Sequence, residues 1–96
     1  MSVLTLISEG TYQVQPLIEA ALEHESGFLQ AGIRQTEARL GAFEEQYQRS
    51  TADIIAAYED DQVEETLDMI EWIGEYRLLQ RLREKREALR SVHFAN

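Results

Sequence analysis

The sequence predicts an all-α protein: a long-helix antiparallel hairpin, coiled-coil-like, with a short extended N-terminus, paired into a dimeric four-helix bundle. Three observations predict it. The 96 residues contain one proline, at position 16, so no ring breaks a helix after that point. Leu22, Leu29, Thr36 and Phe43 stand seven apart, with Ser26, Ile33, Leu40 and Tyr47 interleaved four residues later. That alternation of four and three is a heptad seam. A second proline-free run from 61 to 91 again carries apolar residues at helical spacing.

Each element has its own signal. Residues 1–15 read as an extended arm or a short hairpin. Val3 to Ile7 are β-formers or apolar, Ser8-Glu9-Gly10 is turn-like, and residues 11–15 alternate polar and apolar. Pro16 suits the first turn of a helix, where its missing N–H costs nothing. Helix one is placed at 16–48. Ser50-Thr51-Ala52-Asp53 resembles a capping box with Asp in place of Glu, and opens a short helix at 51–58. Glu59-Asp60-Asp61 breaks the chain, and Asp60 or Asp61 caps helix three, placed at 61–91. The whole chain, 1–96, is one helical domain.

Helix three shows two apolar stripes. One is Val63, Leu67, Ile70, Leu78, Leu82 and Leu89; the other is Met69, Trp72, Ile73, Tyr76 and Leu79. A helix lying on one neighbour needs one stripe, so two stripes imply two neighbours. An exposed row such as Met69, Trp72, Tyr76 and Leu79 marks an interaction surface, closed by a second copy or by another protein.

Eighteen Asp and Glu oppose nine Lys and Arg, a formal charge of -9. The imbalance disfavours nucleic acid and suits a basic protein partner. From Glu59 to Tyr76 stand eight acids and no base: Glu59, Asp60, Asp61, Glu64, Glu65, Asp68, Glu71 and Glu75. From Arg77 onward come six bases and two acids. This polarity complements the helix macrodipole, and it also presents an acidic face to a partner. The basic stretch is interrupted by Glu84 and Glu87 and has no helix-turn-helix around it, so DNA contact is the weaker reading. No uncharged stretch approaches a membrane span and no leader pattern opens the chain, so a cytoplasmic protein is expected.

No catalytic or cofactor constellation emerges. There is no cysteine, hence no disulfide or thiolate zinc site. His24 and His93 lack the Glu-x-x-His spacing of a bundle metal site, and Glu19 with Glu23 reads as a solvated face. The glycines form no phosphate-binding loop. The expectation is a protein that is not an enzyme and carries no cofactor or metal.

One resemblance sharpens this. The run Phe43-Glu44-Glu45-Gln46-Tyr47-Gln48-Arg49-Ser50, then the acidic stretch, Glu71-Trp72, and Leu79 through Arg81-Leu82 to Leu89 follow one another in that order. Over about residues 37–90 the chain resembles the short helical antitoxins of bacterial and archaeal toxin–antitoxin pairs. Where those proteins often carry Tyr-Gly before the Ser, this chain has Gln48-Arg49. The resemblance implies a non-enzymatic neutraliser that binds a basic toxin directly. The expected interface is Met69, Trp72, Tyr76 and Leu79 as anchors, with Glu64, Glu65, Asp68, Glu71 and Glu75 around them. The alternatives are a homodimeric coiled-coil adaptor with no toxin, and a regulator that contacts DNA through residues 77–90.

Overall fold

The computed structural model describes residues 2–4 and 14–94. The body is all-α. Helix α1 is Val14–Tyr47, α2 is Thr51–Glu59 and α3 is Leu67–Arg90. Two three-residue strands, β1 (Ser2–Leu4) and β2 (Val92–Phe94), pair in parallel with Ser2 opposite Val92 and Leu4 opposite Phe94. The N-terminal segment thus meets the C-terminal one. The expected hairpin return at 11–15 falls mostly outside the described residues, but Val14 and Gln15 are helical rather than extended.

Long-range contacts between α1 and α3 run in opposite chain directions. Tyr47 meets Asp68, Arg39 meets Glu75, and Glu37 meets Arg83. The result is a rod of 59 × 22 × 17 Å with a radius of gyration of 19.0 Å. A compact chain of this length has a radius near 13 Å.

The heptad seam of α1 is the buried face. Leu29, Ile33, Thr36 and Leu40 are buried, and Leu22, Ser26, Phe43 and Tyr47 are half-buried. Thr36 fits this apolar line because its hydroxyl donates to the Gly32 carbonyl four residues back, at 2.9 Å. Gly32 itself lies beneath Leu82, whose Cδ1 would be 3.5 Å from a Cβ placed there. The contact is ordinary van der Waals distance, so the site holds Leu82 close without forbidding a small side chain.

The helix ends correct two boundaries. α1 and α2 both stop on a residue in the left-handed region: Gln48 at φ 52° and Asp61 at φ 55°. Around each, amide groups fold back on the last turn. Arg49 N–H donates to Glu44 O, Gln62 N–H to Ala57 O, and Asp61 N–H to Tyr58 O. These are Schellman closures, made without the glycine that usually supplies them. Asp61, expected to cap helix three, therefore terminates α2 instead. Helix three begins at Leu67, not at 61, and Thr66 caps it by accepting the Met69 N–H at 3.2 Å. Residues 62–66 are an irregular acidic connection. The reason is steric and electrostatic. A chain leaving α2 through a positive φ points away from a helix, and the hydroxyl of Thr66, five residues after Asp61, satisfies the new N-terminus.

α3 meets α1 along a line that neither apolar stripe describes. Asp68, Trp72, Glu75, Leu79, Leu82, Arg86 and Leu89 alternate by four and three, and all are buried or half-buried. The seam takes two residues from each expected stripe and fills its other places with polar side chains. Asp68 accepts from the Tyr47 hydroxyl, and Glu75 accepts from Arg39 at 3.4 Å. Arg86 turns its Nε into the interface, with no acceptor among the described residues.

Leu40 lies at the middle of the buried cluster with Ile33, Ile54, Trp72, Ile73 and Leu79. Leu40→Ala is expected to lower unfolding free energy by about 2–5 kcal/mol, read by urea or thermal denaturation. A change within about 0.5 kcal/mol, typical of a surface position, would place the seam elsewhere.

Candidate interaction surface

The corner where the three helices converge is built around Trp72. Its side chain is fully buried, and its indole N–H donates to Thr51 Oγ1 at 2.9 Å. Thr51 opens α2, and its own N–H donates to Glu44 Oε2 at 2.7 Å. Ser50 caps the same helix by accepting the Asp53 N–H at 3.1 Å. Phe43 stacks on the Trp72 ring at 5.4 Å between centroids, and Tyr47 leans on it at 5.7 Å. Ile54 and Ile73 complete the dry centre.

This corrects the expected interface. Trp72 and Leu79 are core residues of the chain itself, and Met69 and Tyr76 pack half-buried against that core. The row that sequence periodicity marks as an open anchor stripe is covered by α1 and by α2, whose Ile54 and Ile55 join the same cluster. The acids divide likewise. Asp68 and Glu75 are bound to Tyr47 and Arg39, whereas Glu64, Glu65 and Glu71 are exposed. Hydrogen bonding to Asp68, then burial, then the Asp68 charge push the Tyr47 hydroxyl above its ordinary titration range.

What α1 and α2 leave open is the outer edge of α3. Leu67 is 85% exposed and Ile70 56% exposed, with Tyr58 also exposed at the end of α2. Leu67, Ile70 and Glu71 stand at i, i+3 and i+4, so they share one face. Beside them a groove of about 200 Å³ is lined by Tyr58, Val63, Glu65, Met69, Ile70, Ile73 and Arg77. The Arg77 guanidinium sits 5.5 Å from the Tyr58 ring centre, tying α3 to the end of α2. On the other flank of the 62–66 connection, an open groove of about 530 Å³ is lined by Tyr47, Arg49, Gln62, Glu64, Leu67 and Asp68, among others. Apolar side chains bordered by exposed carboxylates form this end of the rod. The signal was in the sequence, since Leu67 and Ile70 belong to the first stripe. What hid it was the assumption that tryptophan marks the contact.

Half of the bases in the C-terminal stretch of α3 are engaged within the chain. Arg83 pairs with Glu37 at 3.1 Å and Arg90 with Glu87 at 3.5 Å, while Arg77 covers Tyr58. Among the described residues, no group of three or more His, Asp or Glu gathers closely enough to hold a metal ion, and no helix is long and apolar enough to cross a membrane.

Two outcomes follow from this corner. Trp72→Ala is expected to cost about 3–5 kcal/mol of folding free energy, the range for deleting a buried aromatic, read by urea denaturation followed through the helical signal. Raising pH is expected to weaken the fold above the ordinary tyrosine range. Tyr47 holds its proton more tightly folded than unfolded, so the native state carries more protons there and stability falls as pH rises. In Tyr47→Phe the pH dependence in that range is shallower, measured by denaturation at a series of alkaline pH values.

No known protein family, no characterised protein and no solved structure matches this chain, so its functional reading stands on the geometry above.

Proposed function

We propose that the chain is a non-enzymatic protein–protein interaction domain that works as a homodimer and uses its acidic end to bind and neutralise a basic protein, in the manner of an antitoxin. The observation that carries this reading is the pairing of Leu67, Ile70 and Tyr58, all exposed, with the carboxylates of Glu64, Glu65 and Glu71 around them. Apolar side chains supply contact area, and the surrounding carboxylates select a partner by sign and speed its approach. The anchors differ from those first expected: Trp72 and Leu79 shape the end from inside, and Leu67 and Ile70 are the residues offered outward. The antitoxin resemblance over about residues 37–90 supports the choice of a toxin as the basic partner.

A second reading, a homodimeric adaptor without a toxin, is favoured by the shape of the rod. A 59 Å molecule with Leu17 and Phe28 exposed on α1 has apolar surface to spare far from the acidic end. DNA contact through residues 77–90 has less support, because Arg77, Arg83 and Arg90 already engage side chains of this chain.

The test is co-expression with the product of the neighbouring reading frame. Growth arrest by that product alone, relieved by this chain, is the expected result. Ile70→Glu is expected to abolish the relief while leaving the helical signal intact, because the side chain is exposed. In purified form, Ile70→Ala is expected to weaken binding by about 2 kcal/mol, as interface anchors do. Replacing Glu64 and Glu65 by Gln should chiefly slow association at low salt, an effect that fades as salt screens the charges. Relief that survives Ile70→Glu would move the interface elsewhere, and a neighbour that arrests nothing would favour the adaptor.

A further inference from the structure

The side of α1 turned away from α3 carries a second heptad. Leu17, Ala21, His24, Phe28, Ala31, Gln35, Ala38 and Ala42 follow one another by four, three, four, three, four, three and four. All eight are exposed, and none carries an Asp, Glu, Lys or Arg side chain. The line runs about 38 Å at 1.5 Å per residue, most of the helix. A solvated helix back ordinarily bears charges, and the flanks of this one do so, with Glu23, Arg34 and Glu45. Phe28 at 72% and Leu17 at 64% exposure are the large members, and the rest are small or uncharged.

We infer that a second copy of the chain covers this line, its α1 antiparallel to the first, in the register that sets Leu17 opposite Ala42, Ala21 opposite Ala38, His24 opposite Gln35 and Phe28 opposite Ala31. Two features select that occupant. The first is self-complementarity. In this one register the two apolar knobs, Leu17 and Phe28, each face an alanine, and the polar pair His24 and Gln35 face each other. The pattern repeats on both sides of a two-fold axis between positions 29 and 30, near the middle of α1. Alanine opposite a large side chain lets the two backbones approach closely, as knobs-into-holes packing requires. The second is charge. Residues 44–75 hold eleven carboxylates and one arginine, and they form one end of the rod, whereas residues 14–43 with 76–94 hold eight bases and six acids. A parallel pair would set the two acidic ends side by side, against like-charge repulsion. The antiparallel pair puts them at opposite ends of the assembly, each still free to meet a partner. The inference rests on the homodimer part of the proposed function and adds its face, direction and register.

The chain has no cysteine, so introduced thiols report cleanly. Ala21→Cys and Ala38→Cys are prepared separately, then oxidised alone and as a mixture, with sedimentation of the unmodified chain alongside. The expected result is a disulfide-linked dimer from the mixture and none from either variant alone, because residue 21 of one copy lies roughly 25 Å from residue 21 of the other. Ala31→Glu is expected to shift the sedimenting species from dimer to monomer with the helical signal retained, since the position is exposed in the single chain. Linkage by each variant alone would establish a parallel pair and overturn the orientation. A dimer that links in no combination and tolerates Ala31→Glu would remove this face while leaving self-association intact. A monomer at micromolar concentration would remove both, and leave the line for a helix of a different protein.

Discussion

An indole N–H buried away from water must find an acceptor, and that requirement organises the structure. Trp72 meets it through Thr51 Oγ1, and Thr51 in turn is fixed because its amide donates to Glu44. Three helices are joined by two hydrogen bonds at one corner. Leaving a buried donor unpaired costs about 1–3 kcal/mol, and the pairing also sets where α2 begins. With α2 placed, Ile54 closes over the tryptophan, and Ile73 is buried on the same side. The seam between α1 and α3 then extends from this corner down the rod.

On either side of Trp72 the seam is polar. Asp68 and Glu75 occupy places that a uniform coiled coil would give to leucine, and each is paired across the interface. Paired polar groups in a seam add little net stability, yet a shift of the helices by one turn would leave them unpaired. They fix the register of α1 against α3. Leu82 sits over Gly32, adding a close apolar contact across the same seam.

This polarity also explains how far the sequence could be read. The α1 seam was legible because Leu29, Ile33, Leu40 and Phe43 keep their apolar character at every place but Ser26 and Thr36. The α3 seam was not, because apolar stripes were sought and the true line passes through Asp68, Glu75 and Arg86. The start of α3 was misplaced for a related reason. Gln48 and Asp61 end helices in a conformation that glycine usually announces, so the break at 59–61 was legible but Asp61 read as opening the next helix rather than closing α2. The acidic character of that end was legible, but not which apolar side chains stand exposed there. A tryptophan at helical spacing fits a partner's pocket and a chain's own core equally well until α2 is placed, and α2 depends on Thr51.

The uneven placement of the core has a dynamic consequence. Among the described residues, the seven buried hydrophobic ones run from Leu29 to Ile54 and from Trp72 to Leu79; none lies in the first fifteen residues of α1 or the last eleven of α3. Regions with few buried contacts open with smaller free energies than the global transition. Amide exchange would therefore be graded along the rod, slow at the tryptophan corner and fast toward the far ends of α1 and α3. In the proposed antiparallel pair, the loosely held half of each copy would lie along the firm half of the other, and association would even out a gradient that the single chain keeps.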